Sequence, residues 1–80
     1  MNDLGRPGDV TVGTGRCIRE TDAALLVLLM DISDDVDLKL ANNELWIPKS
    51  QISDDSEVYG LDDEGQLLVT RWWARKQGWV

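Results

Sequence analysis

Eighty residues carrying fifteen acids, eight cations and no histidine make a small acidic chain with a net charge of −7. A chain of this size buries little more than ~60% of its unfolded surface and leaves no bulk for a deep substrate cleft. Without histidine there is no imidazole general base, no Ser-His-Asp or Cys-His pair and no ordinary zinc site. The chain therefore reads as non-enzymatic, with no metal and no cofactor.

Residues 1–9 read as a polar arm broken by Gly5, Pro7 and Gly8, without the apolar stretch of a signal peptide. Residues 10–80 read as a single domain. From Val10 to Glu20 a period of two predicts a strand with one buried face. Gly13 and Gly15 fall on its other face, where glycine marks a bulge or a sharp bend. Thr21 and Asp22 make a turn. "AALLVLLM", Ala23 to Met30, reads as a central strand buried on both faces. It is far short of the ~18 apolar residues that a membrane helix needs. The expectation is no membrane association and, with Cys17 as the lone cysteine, a reducing cytoplasm.

An acidic loop follows at residues 31–37. Leu38 and Leu40 then alternate around Lys39, and Asn42 and Asn43 supply a hairpin turn. Residues 44–47 form the next strand. Pro48 ends its pairing, and "PKSQ" reads as a structural corner, a tight or 3₁₀ turn in which Ile47 or Leu45 meets Ile52. A brief strand is expected at Val58 and Tyr59, a glycine-bounded turn at residues 60–65, and a last strand from Gln66 to Val69. The chain reads as having no internal repeat.

The period then changes. "TRWWARKQGWV" predicts a helix over residues 70–78, capped by Thr70, with Arg75 and Lys76 in its last turn. Gly78 fits the left-handed residue that ends a helix, which would fold Trp79 back on Ala74. Trp72 and Trp73 point about 100° apart, so one docks and the other lies at the edge. The expected fold is mainly β: a small antiparallel SH3-like or OB-like barrel of about five strands with a short C-terminal helix.

Charge is unevenly spread. Residues 20–64 hold thirteen acids against only Lys39 and Lys49, whereas residues 65–80 carry Arg71, Arg75 and Lys76 and no acid. Asp31, Ser33, Asp35 and Asp37 match the first positions of a calcium loop. That pattern fails where glycine is replaced by Val36 and the bidentate glutamate by Asn42. Cys17, between Arg16 and Arg19, reads as a small core filler rather than a reactive thiol. Two binding surfaces remain. Asp34, Asp35, Asp54, Asp55, Asp62 and Asp63, with Trp72 as an aromatic anchor, could dock on a basic surface. Alternatively Arg71, Trp72, Arg75 and Lys76 combine cations with a stacking ring, as single-strand nucleic-acid platforms do. The acidic middle repels phosphates and weighs against that second reading.

Trp46, Ile47, Pro48, Lys49, Ser50 and Ile52, then Leu67, Val69, Trp73, Ala74, Gly78 and Trp79, form a pattern W-I-P-K-S-x-I … L-x-V … W-A-x-x-x-G-W. In it the last forty residues or so resemble a type of small phage and prophage protein. The resemblance implies a mobile-element protein acting in a bacterial host cytoplasm and assigns no functional residue. Small acidic phage proteins are often inhibitors of host defence, such as anti-CRISPR proteins. By that analogy the chain is an inhibitor imitating nucleic acid and occupying the basic nucleic-acid-binding surface of a larger host protein. A structural phage component is the remaining alternative, and the sequence is open to a monomer or a homodimer.

Overall fold

The computed structural model describes residues 9–40 and 42–80. Four strands form one antiparallel sheet in the order β3-β2-β1-β4: β1 Asp9–Glu20, β2 Ala24–Ile32, β3 Glu44–Pro48 and β4 Glu64–Thr70. A 3₁₀ turn, Lys49–Gln51, follows β3, and helix α1, Arg71–Lys76, follows β4. β1 starts at Asp9, and the rest of the expected arm lies outside the described residues.

β1 is long because it serves both neighbours, and it bends where its glycines are. The register slips between Thr11 and Gly13 against β4 and between Thr14 and Gly15 against β2. A Cβ on Gly13 would lie 2.0 Å from the Asp31 carbonyl oxygen, so the bulge brings two backbones closer than any side chain allows. These bends curl the sheet over an inner face. That face buries Val12, Cys17, Leu25, Val27, Ile47, Leu67 and Val69 completely. Val36, Ile52, Val58, Ala74 and Trp79 close the core from the loops and the helix.

The expected five-stranded barrel is corrected to an open four-stranded sheet. After the 3₁₀ turn the chain meets β4 through an isolated bridge, Ile52 to Val69. The brief strand at Val58–Tyr59 does not form, because side chains take the amides a strand would use. Val58 N–H donates to Ser56 Oγ, and Tyr59 and Gly60 N–H both donate to Asp63 Oδ2. Leu38 and Leu40 likewise pack on the core from irregular chain.

β2 corrects a second expectation. Its inner residues Leu25, Val27 and Leu29 are buried, and on the other face Leu26, opposite Trp46, is buried too, but Leu28 and Met30 are 37% and 56% exposed. The main core lies on one side of the sheet, where the helix and loops pack. The corner at Pro48 forms as expected. Ile47 and Ile52 are buried on either side of the 3₁₀ turn, and Ile52 N–H returns to the Lys49 carbonyl. Pro48 faces Ala24 across the ladder at a position whose missing N–H points away from β2.

The helix is built as its punctuation suggests. Thr70 Oγ1 accepts the Trp73 N–H at 3.2 Å. Gly78 adopts φ +80, and its N–H reaches the Arg75 carbonyl while the Trp79 N–H reaches that of Ala74. This pair of bonds is the Schellman closure. It swings Trp79 onto the core, where it is 8% exposed.

Candidate functional site

The chain uses one six-residue turn twice. "ISDDVD" at residues 32–37 and "ISDDSE" at 52–57 share Ile-Ser-Asp-Asp, followed by a buried residue and an acid. In each, the serine hydroxyl accepts the N–H of the second aspartate at 3.1 Å, Ser33 from Asp35 and Ser53 from Asp55. In each, the serine carbonyl takes an N–H three residues on, from Val36 or Ser56. Short polar side chains favour such turns because they supply the acceptor that a ladder would otherwise provide. The serine amides anchor both turns to neighbouring strands: Ser33 to the Val12 carbonyl of β1 and Ser53 to the Leu68 carbonyl of β4, each at 2.9 Å.

β1 and β4 are paired at this level, Thr11 opposite Leu68. The two turns therefore flank the same strand pair from opposite sides, about 14 Å apart along the sheet at ordinary strand spacing. Each holds its buried residue, Val36 or Ser56, inward and turns its adjacent aspartates outward. Asp34, Asp35, Asp54 and Asp55 are all exposed. This repeat is visible as four identical letters in the sequence, but the surrounding run of acids conceals it. Asp54 also accepts the Tyr59 hydroxyl at 3.0 Å. Desolvation and then that bond to Asp54 push the Tyr59 phenol above its usual range.

Asp62 and Asp63 lie elsewhere. The segment carrying them is bonded to Cys17, with Asp62 N–H to the Cys17 carbonyl and Cys17 N–H to the Asp63 carbonyl. That is five residues further along β1 than Val12, or about 17 Å. Asp62 is in the left-handed region at φ 72 and pairs with Arg16 at 3.2 Å. The Asp63 carboxylate is committed to the Tyr59 and Gly60 amides. The structure thus brings four of the six sequence-predicted acids onto one strand pair and gives the other two local bonding roles.

Trp72 is 61% exposed, while its neighbour Trp73 packs against the core. The Lys76 ammonium sits 4.8 Å from the Trp72 ring centroid, a cation–π contact across one helical turn. Arg71, Arg75 and Lys76 are exposed. Arg71 lines a groove of about 420 Å³ together with Asp9, Val10, Thr11, Asp35 and Val80. That groove joins the first acidic turn to the start of α1, so Arg71 and Asp35 border the same space.

Other polar groups bond within the fold. Lys49 pairs with Glu20 at 2.6 Å, and the other Glu20 oxygen accepts the Leu61 N–H at 3.0 Å. The bond from Lys49, then that from Leu61, hold the Glu20 carboxyl below its usual range. Cys17 is fully buried, and its Sγ donates to the Arg19 carbonyl at 3.0 Å. Burial pushes the thiol above its usual range, which keeps it protonated and unreactive at neutral pH. Val36, where a calcium loop needs glycine, is a core residue. Among the described residues no three cysteine, aspartate or glutamate side chains are grouped to hold a metal ion. Nor, among them, is any helix long and apolar enough to cross a membrane. Compared with protein-family models, with curated proteins and with solved structures, the chain matches none.

Proposed function

We propose that the chain is a non-enzymatic binding protein whose paired acidic turns dock on a basic surface, of the kind that otherwise holds nucleic-acid phosphates. The observation that carries this reading is the repeated Ser-braced turn. It presents Asp34 and Asp35 on one side of the β1–β4 pair, and Asp54 and Asp55 on the other, from rigid backbone anchors. Rigid, closely spaced carboxylates lose little freedom on binding and steer a cationic partner over distance. Trp72, exposed beyond the groove that contains Asp35, supplies an aromatic anchor at the same end of the fold. The partner is then a larger basic protein that handles nucleic acid. In the phage setting implied by the sequence resemblance, it is a host defence protein and this chain its inhibitor.

The test is a pull-down from bacterial lysate with the wild-type chain and with a variant carrying Asp34, Asp35, Asp54 and Asp55 all changed to Asn. Capture that is lost in the variant, and competed away by added oligonucleotide, supports the reading. A partner that binds the variant as well as the wild type would sink it. Direct quenching of tryptophan fluorescence by oligonucleotide alone would instead favour a nucleic-acid surface at Arg71, Trp72, Arg75 and Lys76.

A further inference from the structure

Residues 59–63 run past Cys17 of β1 on their way from the second acidic turn to β4. Two backbone bonds tie them to that strand: Asp62 N–H donates to the Cys17 carbonyl, and Cys17 N–H to that of Asp63. A third, Asp63 N–H to the Gly60 carbonyl, closes the segment on itself as a turn. Among the described residues, every other bond of this segment runs through a carboxylate. The Tyr59 and Gly60 amides donate to Asp63 Oδ2 and the Leu61 amide to Glu20 Oε1, so three successive amides rest on two carboxylates. The Tyr59 hydroxyl donates to Asp54 at 3.0 Å, and Asp62 pairs with Arg16 at 3.2 Å.

These carboxylates crowd one short stretch of backbone. A Cβ on Gly60 would lie 3.5 Å from Glu20 Oε1 and 3.9 Å from Asp63 Oδ2. The cations set against them are Lys49, 2.6 Å from the other Glu20 oxygen, and Arg16. Next to the segment lies Cys17, fully buried and the only cysteine of the chain. After burial and the Arg19 carbonyl, the groups that act on its thiol are the Glu20, Asp63 and Asp62 carboxylates.

We propose that residues 59–63 are a proton-released latch: ionised Glu20, Asp62 and Asp63 hold the segment against β1, and their protonation lets it open and uncover Cys17 while the sheet and helix stay folded. A neutral carboxyl is a poorer acceptor than a carboxylate. Acid therefore weakens three amide bonds and removes two ion pairs together, leaving two neutral backbone bonds to hold the segment to β1. Each exposed bond is weak alone, but all of them act on one short turn. The direction follows from Glu20. Lys49 and then the Leu61 amide hold its carboxyl below the ordinary range, so the closed segment favours the ionised form. Closure is complete above the ordinary glutamate range and is lost as pH falls through the lowered value. The opening is local, because Val58 at one end is buried in the core and β4 at the other is paired to β1. The latch does not rest on what the acidic turns bind.

The single thiol reports the opening. Labelling of Cys17 by dithiodipyridine, which reacts with thiols in acid, is followed against pH and normalised to the urea-unfolded chain at the same pH. Protection is expected to fall through the carboxylate range while far-ultraviolet circular dichroism and tryptophan emission stay native. Glu20→Gln keeps the shape and removes the charge, and should label about threefold faster or more at neutral pH. Site-resolved amide exchange on the wild type should show Tyr59, Gly60 and Leu61 losing protection at higher pH than the amides of central strand β2. Protection of the thiol and of the three amides that ends only where circular dichroism is lost overturns the proposal. So does a thiol that stays protected where those amides have opened, or a folded Glu20→Gln chain that labels at the wild-type rate. The exchange measurement decides the matter on the wild type even if the variant fails to fold.

Discussion

The Trp79 indole stands edge-on to that of Trp73, with ring centroids 5.0 Å apart and planes at 84°. This pair locks a helix of only six residues onto the sheet, a helix far too short to persist alone. Trp79→Ala should cost about 3–5 kcal/mol, a large share of the ~4–12 kcal/mol that a chain of this length holds. Gly78→Ala should cost about 1 kcal/mol. An added Cβ there meets nothing within 4 Å, so the loss is the left-handed backbone alone. Urea denaturation of the two variants separates the packing contribution from the conformational one.

Ser56 is the hub of the β4 edge. Its buried hydroxyl accepts the Val58 and Leu68 N–H groups and lies within bonding distance of the Val58 and Gln66 carbonyls. Ser56→Ala strands those amides and should cost about 1–3 kcal/mol. Ser33→Ala removes one acceptor from an exposed turn, where water replaces it, and should cost under about 1 kcal/mol. Thermal melts of both variants rank the two turns, with Ser56→Ala melting several degrees lower.

Glu20 makes stability depend on pH in a stated direction. Its carboxyl is held below the ordinary range in the folded chain by Lys49 and then by the Leu61 amide. The folded state therefore prefers the ionised form more than the unfolded state does. The contribution is complete above the ordinary glutamate range and is lost as pH falls through the lowered folded value. Glu20→Gln should flatten the acid limb of the melting-temperature profile and leave the neutral-pH profile parallel to the wild type. An acid limb of unchanged steepness would assign it to other carboxylates.

Asp63 and Asp34 should respond oppositely to substitution. Asp63→Ala leaves the Tyr59 and Gly60 amides without their acceptor and should destabilise by about 1–3 kcal/mol. Asp34→Lys changes an exposed side chain in a crowd of acids and should stay within about 0.5 kcal/mol of the wild type. Equal melting temperatures for the two variants would remove the distinction drawn between the two acidic segments.

Features governed by near neighbours were legible in the sequence. Thr70, Gly78 and Trp79 announce their own helix ends, and Gly13 and Gly15 announce bends, because each acts within a few residues or through a backbone only glycine allows. The corner after Ile47 was legible for the same reason. The missing strand at Val58–Tyr59 was not. Its amides are claimed by Ser56 and Asp63, and a pattern of apolar alternation cannot show side chains competing for backbone bonds. The run Ala23–Met30 misled differently. An unbroken apolar strand reads as buried on both faces, yet here it belongs to a single layer with Leu28 and Met30 left outside. Of the candidate site, the acids were legible by type. That Asp34, Asp35, Asp54 and Asp55 share a strand pair, while Asp62 and Asp63 do not, depends on the pairing of β1 with β4 and could not be read along the chain.

The Trp79 carbonyl accepts the Asp37 N–H at 2.8 Å, and its ring fills the core beside Ala74. A contact spanning that much of the chain has a consequence for biosynthesis. While a ribosome is still adding residues, β1 to β3 can pair, but the interior stays unsealed until residue 79 has left the exit tunnel. The nascent sheet waits with apolar surface showing, so any chaperone that meets this chain should do so before Trp79 emerges.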